Sequence, residues 1–306
     1  MKHILTILFT GLALTVQAQQ QQPKVTSVLE VLDIETGECT VVKEFPYLIE
    51  APNWTRDGQW LIFNSGGLIY KMDVQGKGDA RLINTAYATA CNNDHVLSAN
   101  GKSLGISSSP SRNNYVSHVY TLPLDGGEPK LITPYGPSYL HGWSHDGKRL
   151  AYCAFRDGEQ DIYTIAADGG EEEVRLTTAE GLDDGPEFSP DDRYIWFNSV
   201  RTGLMQVWRM NSDGSEQTQM TFDEDLNSWF PHISPDGKWV IYIAYHKGDL
   251  KPSEHLANKD VELRLMPAAG GTPKTLVKLF GGQGSINVNS WAPDSRHLAF
   301  VSYRLE

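Results

Sequence analysis

Glu187 and His232 each stand four residues ahead of an Asp that opens a turn, Asp191 and Asp236 respectively. A carboxylate beside an imidazole favours the charged form of each. Such a pair can orient a ligand hydroxyl, help to hold a cation or exchange a proton. His95 and His141 stand five residues ahead of Asn100 and Asp146, and Asn289 stands five ahead of Asp294. Near them in sequence lie Asn93, Asp94, Tyr139, Asp184 and Trp229, amides and carboxylates that bond hydroxyls and rings that offer an apolar face. These ten residues form the expected ligand-binding set, with Tyr47 as a further ring able to stack on a sugar. Imidazole and carboxylate ligands suit a divalent metal, so His95, His141, Glu187 and His232 are the metal candidates, although none belongs to a short-range ligand motif. No catalytic constellation is complete, and a binding role is the leading expectation over an enzyme.

What must position these residues is a repeated hairpin. Trp54-Thr-Arg-Asp57-Gly58, Leu97-Ser-Ala-Asn100-Gly101, Trp143-Ser-His-Asp146-Gly147, Phe188-Ser-Pro-Asp191-Asp192, Ile233-Ser-Pro-Asp236-Gly237 and Trp291-Ala-Pro-Asp294-Ser295 each lead into a short apolar run rich in β-branched and aromatic residues. Runs of that length and type suit strands covered on both faces. The copies recur about every 45 residues, the spacing of a four-stranded propeller blade. A second hairpin alternates with the first: Val28–Leu32 with Gly37, Leu68–Met72 with Gly76, Val119–Leu122 with Gly126-Gly127, Asp161–Ile165 with Gly169-Gly170, Val207–Met210 with Gly214, and Val261–Leu265 with Gly270-Gly271. The fold expected is an all-β, six-bladed β-propeller over residues 25–306. Because the chain opens on an outer hairpin (27–43) and closes on an inner one (288–303), the two ends must share the last blade.

With strands A to D numbered outward from the axis, the Asp-Gly and Gly-Gly turns share one face of the disc. The D–A connections and B–C loops share the other. The latter are the variable segments, and the longest, His246 to Asp260, is expected to act as a lid or docking loop beside the axial funnel. Strand side chains alternate in direction. On unbroken strands, therefore, His95 and His141 point one way and Glu187 and His232 the other.

Residues 1–18 read as a signal peptide: Lys2, the apolar run from Ile4 to Val16, and small Ala18 before a polar tether, 19–24. The expected location is periplasmic or secreted. A formal charge of −12 repels phosphate backbones, so nucleic acid is not an expected partner, and no later segment approaches membrane-spanning length. Cys39, Cys91 and Cys153 lie too far apart for a metal knuckle and read best as buried free thiols.

The Ser-Pro-Asp-Gly hairpins with their aromatic neighbours resemble the WD-like propeller repeat of the TolB family of periplasmic proteins, over Val25 to Glu306. The resemblance implies a six-bladed propeller that takes partners at its axial funnel; in TolB itself it works in a complex maintaining the outer membrane. The α/β domain that precedes the propeller in TolB has no counterpart between the signal segment and the first strand here. The repeats are also similar to propellers attached to serine peptidases, but no Gly-x-Ser-x-Gly elbow occurs. A third likeness is to propellers of the oligogalacturonate lyase type, whose funnel holds a metal through His and Gln. Two functions are thus expected: a monomeric module binding a periplasmic protein, peptide or glycan, or else a metal-dependent carbohydrate-active enzyme.

Overall fold

The repeated turn is built by two side chains. Ser234 Oγ donates to Asp236 Oδ1 (2.6 Å) and accepts the backbone N–H of Trp239 (3.0 Å). Asp236 Oδ1 also accepts the N–H of Lys238 (3.1 Å), and Gly237 closes the turn at φ +71. Positive φ costs glycine little because it has no Cβ. Thr55–Asp57, Ser98–Asn100, Ser144–Asp146 and Ser189–Asp191 repeat the hydroxyl-to-carboxylate or hydroxyl-to-amide bond. The sixth copy carries Ala292 instead, and Asp294 pairs with His297 Nδ1 (2.6 Å).

A computed structural model describes residues 24–306. The expected signal peptide, 1–18, and the expected tether before Lys24 lie outside the described residues. Five four-stranded antiparallel sheets and one closing sheet make the six blades of a β-propeller. Their innermost strands are Glu50–Trp54, Cys91–Leu97, Ser138–Trp143, Asp183–Phe188 and Leu226–Ile233 in blades one to five. These strands touch their neighbours around the axis. A Cβ at Gly142 would meet the Pro186 carbonyl at 2.7 Å, so the third and fourth inner strands approach as closely as glycine allows. Apolar side chains fill the space within and between blades. Of the three cysteines, Cys91 and Cys153 are buried, but Cys39 is exposed, because it lies on the outermost strand of the closing blade.

The closing blade joins the two ends of the described chain. Val25–Asp33 pairs antiparallel with His297–Leu305 on one side and with Cys39–Phe45 on the other. Arg296 fastens the seam by donating to Asp33 Oδ2 from Nη2 (2.6 Å) and Nε (3.0 Å). The expected inner hairpin differs in one respect. Its first strand is reduced to a single bridge, Trp291 to Leu298, preceded by a helical turn at Gln283–Ile286. The backbone there serves other blades: the Ile286 carbonyl lies 2.5 Å from His232 Nε2, and the Asn289 carbonyl accepts the Asn53 amide (2.5 Å).

In each of the five inner strands the ladder to strand B is interrupted. Ala51-Pro52, Gly185-Pro186 and Phe230-Pro231 each stand opposite one residue, and Ala51, Gly185 and Phe230 have positive φ. In blade two, residues 92–94 stand opposite Ser107 alone. In blade three the extra residue is His141 itself. These are β-bulges, which re-aim side chains and accommodate proline where a regular ladder would not.

Closure makes a strong demand on the first hairpin. Removing residues 25–45 exposes an edge along His297–Leu305 and uncovers the apolar residues that cluster with Leu29 and Phe45, among them Leu61, Phe63, Ala299 and Val301. The truncated chain should be insoluble or aggregated. A soluble, monomeric product of unchanged melting temperature in size-exclusion and thermal scans would contradict this account of closure.

Candidate functional site

The bulges sort the polar residues of the inner strands into two levels on the axis. On the loop side, Asp94, His141 and Asp184 converge from blades two, three and four. His141 Nε2 lies 3.3 Å from Asp184 Oδ1 and 3.8 Å from Asp94 Oδ1. Its ring stacks on Phe230 of blade five, 5.6 Å between centroids and 16° between planes. Asp94 also accepts the side-chain amides of Asn92 (2.5 Å) and Asn287 (2.7 Å). Burial opposes a charge on His141, but the charge of Asp94, the hydrogen bond and charge of Asp184 and the Asn287 carbonyl outweigh it, raising the imidazole to about 9. Burial likewise opposes the charge of Asp184, but His141, His255 and its own Gly185 N–H hold its carboxyl below the usual value. Asp94 goes the other way: burial raises it, and His141 and Asn287 only partly offset that.

Above this level opens a cavity of about 280 Å³ lined by Asn92, Asp94, Tyr139, His141, Gln160, Asp184, His255 and Gln283, with Cys153 in its wall. Asn93 lies beside it, donating to Glu50 Oε1 (3.4 Å) and accepting from Gln283 (3.4 Å). Glu50 is held mainly by burial, which raises its carboxyl.

On the turn side, Glu187 joins three blades. Its Oε2 lies 2.7 Å from His232 Nδ1, and its Oε1 accepts the Ile233 N–H (2.9 Å) and the Asn289 amide (2.6 Å). His232 Nε2 meets the Ile286 carbonyl, so both ring nitrogens face oxygen acceptors. A second hollow, about 170 Å³, opens here on the turn face, and its lining includes Arg56, Val96, Glu187, Pro235 and Asn289. His141 lines both hollows and separates them.

Several expectations need correction. His95 does not share the direction of His141. Three residues bulge ahead of it, whereas His141 is itself the bulged residue, so equal distance from the turn gives opposite outcomes. His95 is fully buried near the backbone of Ala51 and Ile62 in blade one, and burial lowers its imidazole to about 4. The four metal candidates therefore occupy three separate environments. Among the described residues, no group of three or more His, Cys, Asp or Glu side chains is placed to hold an ion. Trp229 is fully buried and offers no face to a sugar, because His255 from the long B–C loop meets it edge-on at 4.5 Å. Tyr47 is exposed and packs by Phe45, away from the cavity lining.

His255, Glu50, Gln160, Gln283 and Asn287 were not among the expected site residues. For two of them a signal exists. Counting seven residues back from each turn gives Glu50, Asn93, Tyr139, Asp184, Trp229 and Asn287, nearly the whole polar ring. His255 has no periodic signal because it lies in an insertion.

This architecture is matched by known proteins. A family profile described as the TolB beta propeller domain matches residues 137–266. An uncharacterized protein of Agrobacterium fabrum is 44% identical over 277 residues, spanning 90% of this chain and 92% of that one. The chain belongs to the TolB-like β-propeller family. The solved structure of an Agrobacterium tumefaciens protein, a TolB candidate, superposes on this TolB-like chain with a TM-score of 0.86 at 43% identity, over 93% of this chain and 99% of that one. The Tol-Pal system protein TolB of Bordetella pertussis is 34% identical over 137 residues, 30% of this chain and 31% of its own. An oligogalacturonate lyase of Vibrio parahaemolyticus shares the fold alone, at 13% identity and a TM-score of 0.53 over 92% of this chain and 98% of that one.

Two predictions follow from the charged levels. Because the folded value of His141 lies above its ordinary 6.5, its stabilisation is fully present below about 6.5 and fades as the pH rises through about 9. The melting temperature should fall across that window, and part of the fall should vanish in His141→Gln; identical profiles would remove this role. Glu187→Ala leaves His232, Ile233 N–H and Asn289 without their acceptor. It should cost about 3 kcal/mol or more in denaturant unfolding, and a loss below about 1 kcal/mol would mean that the bridge is not structural.

Proposed function

We propose that this chain is an exported binding module that takes a protein or peptide partner at the loop face of the propeller, with the axial cavity as its recognition pocket. The observation that carries this reading is the cavity: a recess of about 280 Å³ on the axis, rimmed by the D–A connections and the long B–C loop. Its size lies just below the range of roughly 300–1,000 Å³ that encloses drug-sized ligands, so it suits one side chain presented by a larger partner. Tyr139 and Gln160 line it, and their polar side-chain atoms make no hydrogen bond among the described residues. Asn93, Asp94, Tyr139, His141 and Asp184 are the recognition residues in this reading. Glu187, His232 and Asn289 brace the blades beneath them. That a relative is named a Tol-Pal system protein supports a proteinaceous partner.

Export to the periplasm or medium rests on the basic, apolar and small-residue pattern of residues 1–18. Among the described residues, no helix is long and apolar enough to cross a membrane. The glycan and metal-dependent lyase readings have less behind them, since Trp229 is covered and the metal candidates are dispersed.

A random peptide library selected on the wild-type protein tests the module. Its best ligands should lose roughly tenfold or more in affinity on Tyr139→Ala. Selected peptides indifferent to that change and to Asp184→Asn would sink the reading.

A further inference from the structure

We propose that the axial cavity receives one arginine side chain of the partner, with its guanidinium seated against Asp184. The inference rests on the binding-module reading and names the chemistry of its partner. Asp184 is only 8% exposed. Its Oδ1 is engaged by the Gly185 N–H (2.7 Å) and by His141 Nε2 at 3.3 Å. Its Oδ2 has no nitrogen or hydroxyl donor within hydrogen-bonding distance among the described residues. His255 Nε2 stands 4.0 Å away, and the Cys153 thiol, a weak donor, lies beside the carboxylate. A largely buried carboxylate that lines a cavity and has no strong donor on its second oxygen offers that oxygen to a donor from outside.

The charge balance agrees. Two carboxyl groups, Asp94 and Asp184, face the single His141 imidazole at this level, with His255 4.0 Å from Asp184. The rim repeats the sign: Asp157, Glu159, Glu180, Glu224 and Asp225, all exposed, lie in or beside the connections of blades three to five on this face. Arg112, Lys247, Lys251 and Lys259 are the opposing charges on the B–C loops there; Lys247 is turned to the Glu224 carbonyl (3.0 Å), Lys259 to the Asp249 carbonyl (3.4 Å) and Lys251 to Glu254 (3.4 Å). A chain of formal charge −12 draws basic partners from a distance.

The chemistry of the lining favours guanidinium over ammonium. Tyr139 Oη and the Gln160 carbonyl can accept from a planar fork whose other edge meets Asp184, and the Tyr139 ring offers a stacking face. A lysine would bring a strongly hydrated point charge without the planar fork, and so without paired donors to one edge or a face to stack.

The test titrates the wild-type protein with capped arginine amide, capped citrulline amide and capped lysine amide, read by NMR shifts of His141 and Tyr139. Citrulline keeps the shape of arginine and removes its charge. Arginine should bind, lysine more weakly and citrulline not at all. Gln160→Lys, which places a cation in the cavity wall, should weaken arginine by at least about tenfold at unchanged melting temperature, and Asp184→Asn should weaken it as much while lowering the melting temperature, because His141 loses a charged partner. Should Asp184→Asn fail to fold, Gln160→Lys alone carries the comparison. Citrulline binding as well as arginine, or no arginine shift up to its solubility, would overturn the inference. The peptide library separates the two levels of argument. Binders that depend on Tyr139 but lack arginine would overturn this inference and leave the module intact, whereas a library without funnel-dependent binders would remove both.

Discussion

The innermost strand of each blade has a ladder on one edge and the crowded axis on the other. A regular strand there would send alternate side chains into the two flanking blade interfaces and hold none of them at the centre for long. The bulge relieves this conflict. An extra residue turns the strand as it enters the axis and brings Asp94, His141, Asp184 and Phe230 to one level. Below the bulge the ladder resumes, and Glu187 and His232 emerge in step. The polar chemistry of the axis is therefore a product of interrupted pairing, with regular pairing further out holding it rigid.

Burying so many charges at the centre of a small disc has an evident cost in lost hydration. The protein meets it by giving the carboxylates of each level donors from neighbouring blades. Asp94 and Asp184 share the His141 proton, and Glu187 gathers an imidazole, a backbone N–H and an amide from two neighbouring blades. The levels also do the mechanical work of a ring. Asn287 and Asn289, from the segment where the closing blade has lost its inner strand, bond Asp94 and Glu187. Side chains thus replace the missing ladder at the point where the circle shuts.

The turn spacing made the six blades and their shared last sheet legible in the sequence, because the groups that build the turns, a hydroxyl, an Asp or Asn and in four of six a glycine, are local and repeat. The neighbourhood of Glu187 and His232 was legible for the same reason: no irregularity intervenes between them and their turns. Beyond the bulge the count failed. His95 and His141 are equidistant from their turns, yet one enters a blade interface and the other the axis. The warning was present as Pro52, Pro186 and Pro231, since proline inside a run that otherwise reads as a central strand argues for a bulge. The cover over Trp229 was not legible at all, because it depends on where a loop inserted elsewhere in the chain comes to rest.

His141 has a wider consequence as the one side chain that lines both axial hollows. Many ring-shaped assemblies are pores, and their two mouths exchange whatever passes through. Here the imidazole and the Phe230 ring stacked on it make a septum. The two faces of the disc thus meet at one side chain. A molecule docked among the loops and another docked among the turns would touch opposite sides of the same imidazole, whose charge is set by Asp94 and Asp184 on the loop side, so a change of charge at one mouth reaches the other.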